Sequence, residues 1–290
     1  MIIETWSLIN PIVKSLSYLL LIVTIGNILF LIHFMKNLTI QQIQFSYNNI
    51  KIFSLIGMLV SMLTFITLLG NMSGDFKGIF EIYIISASFQ TLAFKSFLLS
   101  LVGYFIIFLC QILQINSIAL KLMGSIFLLS SFIILGHSTK NGIISQSLLI
   151  VHLVGISYWI GSLLPILKLC NDLNFNELII VSKKFGNYAI GYILLILFSG
   201  LTFSYLLLGS FEKLFFSNYG NVLLLKLFFV SFLLFMGTLN KFYFVPKLIS
   251  KKTIFLNQFK KSILIEMLIV FVIFFITGIL TTSLDLPSLE

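Results

Sequence analysis

From one end to the other, the chain repeats apolar runs of about 20 residues, the length an α-helix needs to cross the hydrocarbon of a bilayer. The runs occupy residues 12–35, 52–70, 94–113, 118–136, 148–169, 188–208, 221–245 and 262–283. In lipid each backbone amide must find its partner inside its own segment or in a closed barrel, so runs of this length predict helices. The expected fold class is all-α: a polytopic membrane bundle of about eight transmembrane helices. Composition agrees, since 9% of the residues are charged and 59% hydrophobic, against about a quarter charged in a soluble domain.

The organisation expected is one integrated membrane domain made of two four-helix halves, residues 1–136 and 137–290. The longest stretch between spans, 71–93, still contains Ile79, Phe80, Ile82, Tyr83, Ile84 and Ile85. It reads as a loop with a short interfacial helix. The first apolar run exceeds 20 residues, follows acidic Glu4 and lacks a small-residue cleavage site, so it is expected to remain as a helix. Cys110 and Cys170 are too few for a disulfide framework.

All 18 basic residues are lysine, and the net charge is +9. Nucleic acid is not an expected partner, because a basic binding face needs charge clustered on a water-soluble surface. The lysines instead set topology, since cytoplasmic loops retain positive charge. With the N-terminus outside, 12 lysines fall at inner loops and helix ends and 5 on the outer side, with Lys226 inside a span. Both termini are therefore expected to be periplasmic, and residues 247–261 a solvated cytoplasmic loop touching anionic membrane lipid.

An ionisable side chain inside a span costs a few kcal/mol or more at the centre, so it faces the bundle interior and has a partner or a task. His137, His152, Lys226 and Glu266 are such residues. His137 ends the fourth span, and His152 is expected about one turn below the same surface. Helical periodicity puts His152, Gly155, Trp159 and Ser162 on one stripe, Lys226, Leu233, Gly237 and Asn240 on another, and Ser262, Glu266 and Thr277 on a third. Asn240 and Glu266 lie at matching depths on antiparallel neighbours, so a hydrogen bond between them is expected.

Imidazole and thioether suit copper, and the spans hold almost no carboxylate for magnesium or calcium. Met58, Met62 and Met72 share one side of the second span, which makes Met62 and Met72 candidate metal ligands; methionine at this spacing also serves as plain core filler. His33, Met35, Cys110, Cys170 and Met236 are further soft groups whose convergence the sequence does not show. Two histidines can equally hold a haem b iron. A third alternative is a non-catalytic membrane scaffold whose polar residues lock helices together. No phosphate loop, CxxC, HExxH or serine hydrolase elbow occurs, so no enzyme activity is expected.

Gly136-His137-Ser138, the segment from His152-Leu153-Val154-Gly155 through Tyr158-Trp159-Ile160-Gly161 to Pro165, Tyr219-Gly220-Asn221 through Lys226, Asn240 ahead of Val245-Pro246, and Glu266 follow one another in this order. Together they resemble the signature of the copper resistance D (CopD) family, over residues 136–281. The first four spans match only in number and hydropathy. The resemblance implies an eight-helix bacterial inner membrane protein that binds or translocates copper ions inward from the periplasm. It further implies a separate periplasmic CopC-like copper-binding partner. The shared outer layer of the two histidines makes His137 and His152 the expected outer copper ligands, with Trp159 and Lys226 shaping the cavity beneath. A cation at the depth of Lys226 repels copper, so that lysine is expected to be uncharged or paired with an anion.

Overall fold

The computed structural model describes residues 5–287 apart from 141, 173 and 251, and excludes the side chains of Thr5, His137 and Ser138. Among the described residues the secondary structure is entirely helical: α1 Thr5–Phe34, α2 Ile40–Ser73, α3 Ile82–Ser88, α4 Leu92–Ile112, α5 Ile118–Ile133, α6 Gly142–Gly161, α7 Leu163–Asn171, α8 Phe175–Leu208, α9 Glu212–Phe216, α10 Asn218–Leu239, α11 Val245–Lys247 and α12 Thr253–Thr282. Among the described residues seven segments are long and apolar enough to cross a membrane: α1, α2, α4, α6 with α7, α8, α10 with its continuation to Ser250, and α12. The chain is a multi-pass helical membrane protein.

The fourth expected span, 118–136, is α5, which has 16 residues, about 24 Å of helix against a hydrocarbon core of about 30 Å. Its expected extension to residue 136 is cut at Ile133, and Gly136 turns the chain with φ +75. It still returns the chain. Gly103 of α4 meets Gly124 of α5, and Ser96 donates to the Ser131 carbonyl at 2.7 Å, so the two helices run antiparallel. Trp6 packs on Gly70 and Asn49 donates to Asn27, so α1 and α2 are antiparallel as well. At the other end of the chain, Ser15 donates to the Phe274 carbonyl at 3.0 Å, and Tyr219 and Leu223 cluster with Ile276 and Leu280. The start of α1 and the end of α12 thus lie at one end of the bundle, called here the termini end.

Several helices run well past their apolar runs. α2 starts at Ile40, 12 positions before the run, because Thr39 and Gln42 form a reciprocal capping box that satisfies the first free amides. The expected lysine-rich loop 247–261 is corrected in the same way: α12 begins at Thr253, so Lys260 and Lys261 ride on its first turns. Between α2 and α4 the expected interfacial helix is α3, with Ile82 and Tyr83 largely exposed.

Two prolines shape the interior. Pro165 has no N–H, so the Gly161 carbonyl four residues back lacks its helical donor. The chain breaks there into α6 and α7, and Asn27 of α1 donates to that carbonyl at 3.4 Å. Contact is this close because Gly26 and Gly161 face each other; a methyl on either would run into the other's backbone. Pro246 follows the five-residue π-turn Asn240–Phe244 that ends α10, a local widening that turns Asn240 inward. α1 packs on α2, α6 and α12, and the main buried cluster takes residues from both halves of the chain.

Candidate functional site

Halfway into the bundle from the termini end, α6 carries His152 and, two turns further in, Trp159. His152 Nδ1 lies 3.1 Å from the Ile196 carbonyl and 3.4 Å from Ser199 Oγ on α8. The Ser199 hydroxyl already donates to the Leu195 carbonyl at 2.5 Å. Since a carbonyl only accepts, Nδ1 carries the proton, and in the neutral ring Nε2 keeps its lone pair. No described residue hydrogen-bonds to Nε2. The ring sits against α8 only because position 200 is glycine: a Cβ there would come within 2.9 Å of the imidazole.

The imidazole borders a cavity of about 180 Å³ enclosed by α1, α6, α8, α10 and α12. Its polar lining comes from Tyr18, His152, Ser204, Tyr219, Lys226, Thr277 and Thr281, beside the Trp159 indole. Lys226 enters from α10, and no carboxylate lies among the lining residues. Trp159 forms part of its wall, and also part of the wall of a second cavity, of about 230 Å³, further from the termini end. In that second cavity Glu266, 1% exposed, accepts a hydrogen bond from Asn240 Nδ2, and the Trp159 indole lies beside its carboxyl group. The expected Asn240–Glu266 pair therefore exists, and the indole joins it to the wall of the His152 cavity. Lys241 gives Glu266 no ion pair, because its ammonium is held by the Gly186 carbonyl at 2.6 Å and by Asn187 at 3.0 Å.

Other expectations are corrected by the geometry. α6 begins at Gly142 rather than near residue 148, so His152 lies about 15 Å of helix, nearly three turns, from that end instead of one. His137 falls in the 3-10 turn Gly136–Thr139; its side chain lies outside the described residues. Met62 and Met72, 45% and 37% exposed, point away from the bundle interior and line neither cavity. The α2 methionines therefore do not lead into the His152 cavity. Among the described residues no group of three His, Cys, Asp or Glu side chains converges as a metal cluster.

His33 lies away from both cavities. Its Nδ1 is 2.8 Å from the Leu29 carbonyl, and its ring is flanked by Tyr158, Tyr188 and Tyr192. Tyr158 stacks on Tyr192 with centroids 4.0 Å apart. Sequence reasoning placed Tyr158 and Tyr219 only within the family-like signature, and passed over Tyr188, Tyr192, Tyr18 and Ser199. The available signal was the i, i+4 spacing of Tyr188 and Tyr192 on one face of α8.

Residues 179–280 match the family model of copper resistance protein D. The match spans roughly a third of the chain. It contains Lys226, Asn240 and Glu266, and stops short of His152 and Trp159 on the N-terminal side. No curated protein and no solved structure matches the chain.

Proposed function

We propose that this CopD-type membrane protein takes copper ions into the His152 cavity from the termini end and passes them toward the Trp159–Glu266 layer. One observation carries the reading: a buried imidazole is held by its Nδ1–H so that its unprotonated Nε2 is left free beside a cavity. That is the state in which histidine binds a metal, and a hydrogen bond on the opposite nitrogen fixes the tautomer and orientation. Copper is the fitting cargo, because imidazole binds it tightly among the divalent first-row ions and the lining offers no carboxylate for harder cations. Tyr18 and Tyr219 line the chamber. The match to the copper resistance family supports the same metal.

In this reading the termini end faces the periplasm of a bacterial inner membrane, as the lysine distribution favours. A separate CopC-like protein would deliver the ion there, and the protein itself catalyses no reaction. A haem is disfavoured by size: about 180 Å³ falls below the roughly 300 Å³ at which pockets for drug-sized ligands begin.

The test is Cu(I) titration of the purified protein against a chromophoric chelator, comparing the wild type with His152→Ala. Loss of most of the affinity in the variant is expected. Unchanged affinity, or a stoichiometric b-type haem spectrum that vanishes in the variant, would overturn the proposal.

A further inference from the structure

A third cavity, of about 450 Å³, opens between α1, α2, α4, α5 and Thr282 at the end of α12, all residues that the family match does not reach. It is separate from the His152 chamber. Tyr18 lines the one and Phe132 the other, and their rings stand together with centroids 4.8 Å apart. Along α2 the lining runs from Asn71 to Gly57, about 21 Å of helix, so the cavity is an elongated crevice.

Its chemistry is unlike that of the other two. Ser17, Ser61, Thr64, Thr67, Ser96 and Ser100 supply hydroxyls from three helices. Among the lining residues Lys14 is the sole ionised side chain, and no carboxylate is present. The Lys14 ammonium lies 4.5 Å from the centre of the Phe132 ring and 5.4 Å from that of Tyr18, and no described hydrogen bond or ion pair ends on it. A second donor is equally unengaged: Tyr104, 4% exposed, lines the deep end, and its hydroxyl has no hydrogen-bond partner among the described residues. Its ring is fixed against Gly57, where a methyl would overlap it.

Two donors without acceptors thus face one hydroxylated crevice. Most of the hydroxyls donate to helix carbonyls, as Ser61 does to Gly57 and Thr64 to Ser61. Those carbonyls already hold their helical amides, so the hydroxyls can turn to a ligand at a cost of about 1 kcal/mol each. A positive charge with many small donors and no competing carboxylate selects a multi-oxygen anion.

We propose that this crevice binds a phosphate group, carried by a free phosphate ion or by the headgroup of an anionic lipid. Lys14 neutralises the charge, and Tyr104 with the serine hydroxyls holds the oxygens. Native mass spectrometry of the detergent-purified protein reads the lipid source, and calorimetric titration of the delipidated protein with inorganic phosphate reads the free ion. Lys14→Gln should weaken whichever binds by at least tenfold. Tyr104→Phe keeps the ring against Gly57, so it is expected to fold and to weaken binding several-fold. Cu(I) affinity should stay unchanged in both, because neither residue lines the His152 cavity, and that unchanged affinity shows that the variants are folded. Selective retention of phospholipid assigns a headgroup site; phosphate binding without lipid retention assigns a free-ion site. If neither ligand binds the wild type, or both variants bind as it does, the proposal is overturned, whatever the outcome at His152.

Discussion

Replacing Lys226 with leucine should tighten copper binding, a counterintuitive result for a residue deep in the proposed site. If the 180 Å³ chamber is taken as a sphere, its diameter is about 7 Å, so an ammonium on one wall and a copper ion at His152 are about that far apart. Two unit charges at this separation repel by about 2.4 kcal/mol at an effective dielectric of about 20. At about 1.4 kcal/mol per decade, removing the repulsion is worth roughly fiftyfold in affinity. Water in the chamber lowers this figure, so tenfold to fiftyfold is expected. Leucine is the right replacement, since methionine would add a thioether ligand of its own. The assay is chelator competition for Cu(I) with four proteins: wild type, Lys226→Leu, His152→Ala and the double variant. Tightening in Lys226→Leu that disappears on the His152→Ala background places copper beside both residues. Affinity that is unchanged or reduced in Lys226→Leu would refute the reasoning, because it would mean either that copper binds elsewhere or that Lys226 bears no charge there. In transport terms, a lysine opposite the ligand keeps the ion from settling, so the tighter variant is expected to move copper more slowly.

Other outcomes follow from the same geometry. Met62→Leu nearly conserves volume, and its side chain is outward-facing, so copper accumulation and protein abundance should both stay at wild-type levels; a clear loss of accumulation would restore the α2 path. Gly161→Val forces a side chain into the Gly26 backbone and is expected to cost about 1–3 kcal/mol or more, read as a lower thermal midpoint in detergent. Reporter fusions after Thr282 and near Lys252 should give periplasmic and cytoplasmic signals respectively, and a reversal would show that α5 does not return the chain.

The spans were legible because membrane thickness imposes a length that hydropathy measures directly. Helix ends were not, since the first turns of α2 and α12 are polar, and there capping, as by Thr39 at α2, decides the start and apolar content does not. The Asn240–Glu266 pair followed from matching depth on antiparallel helices, although the π-turn that aims Asn240 was invisible, because Pro246 marks a disturbance without saying which kind. The direction in which the methionine stripe faces was not legible, for a physical reason. In lipid an apolar face is equally content outside or inside, so the periodicity of Met58, Met62 and Met72 identified one face of α2 without saying which way it points. The crevice around Lys14 also escaped sequence reasoning, because its hydroxyls come from helices whose adjacency depends on packing.

The central place of α1 has a consequence for biogenesis. Asn27, fully buried in the finished bundle, donates to the Gly161 carbonyl, and Ser15 to the Phe274 carbonyl. At roughly 5–20 residues per second, the ribosome needs on the order of 10–40 s after completing α1 to reach the start of α12. During that interval a helix with an amide side chain at mid-depth stands among lipids with its final neighbours unmade. Its early companions are α2, which supplies Asn49 to Asn27, and whatever part of the insertion machinery shields it. Folding of this chain is thus a matter of keeping one early helix waiting, and stalls in synthesis between α2 and α12 are expected to expose that helix to quality-control proteases before any copper is met.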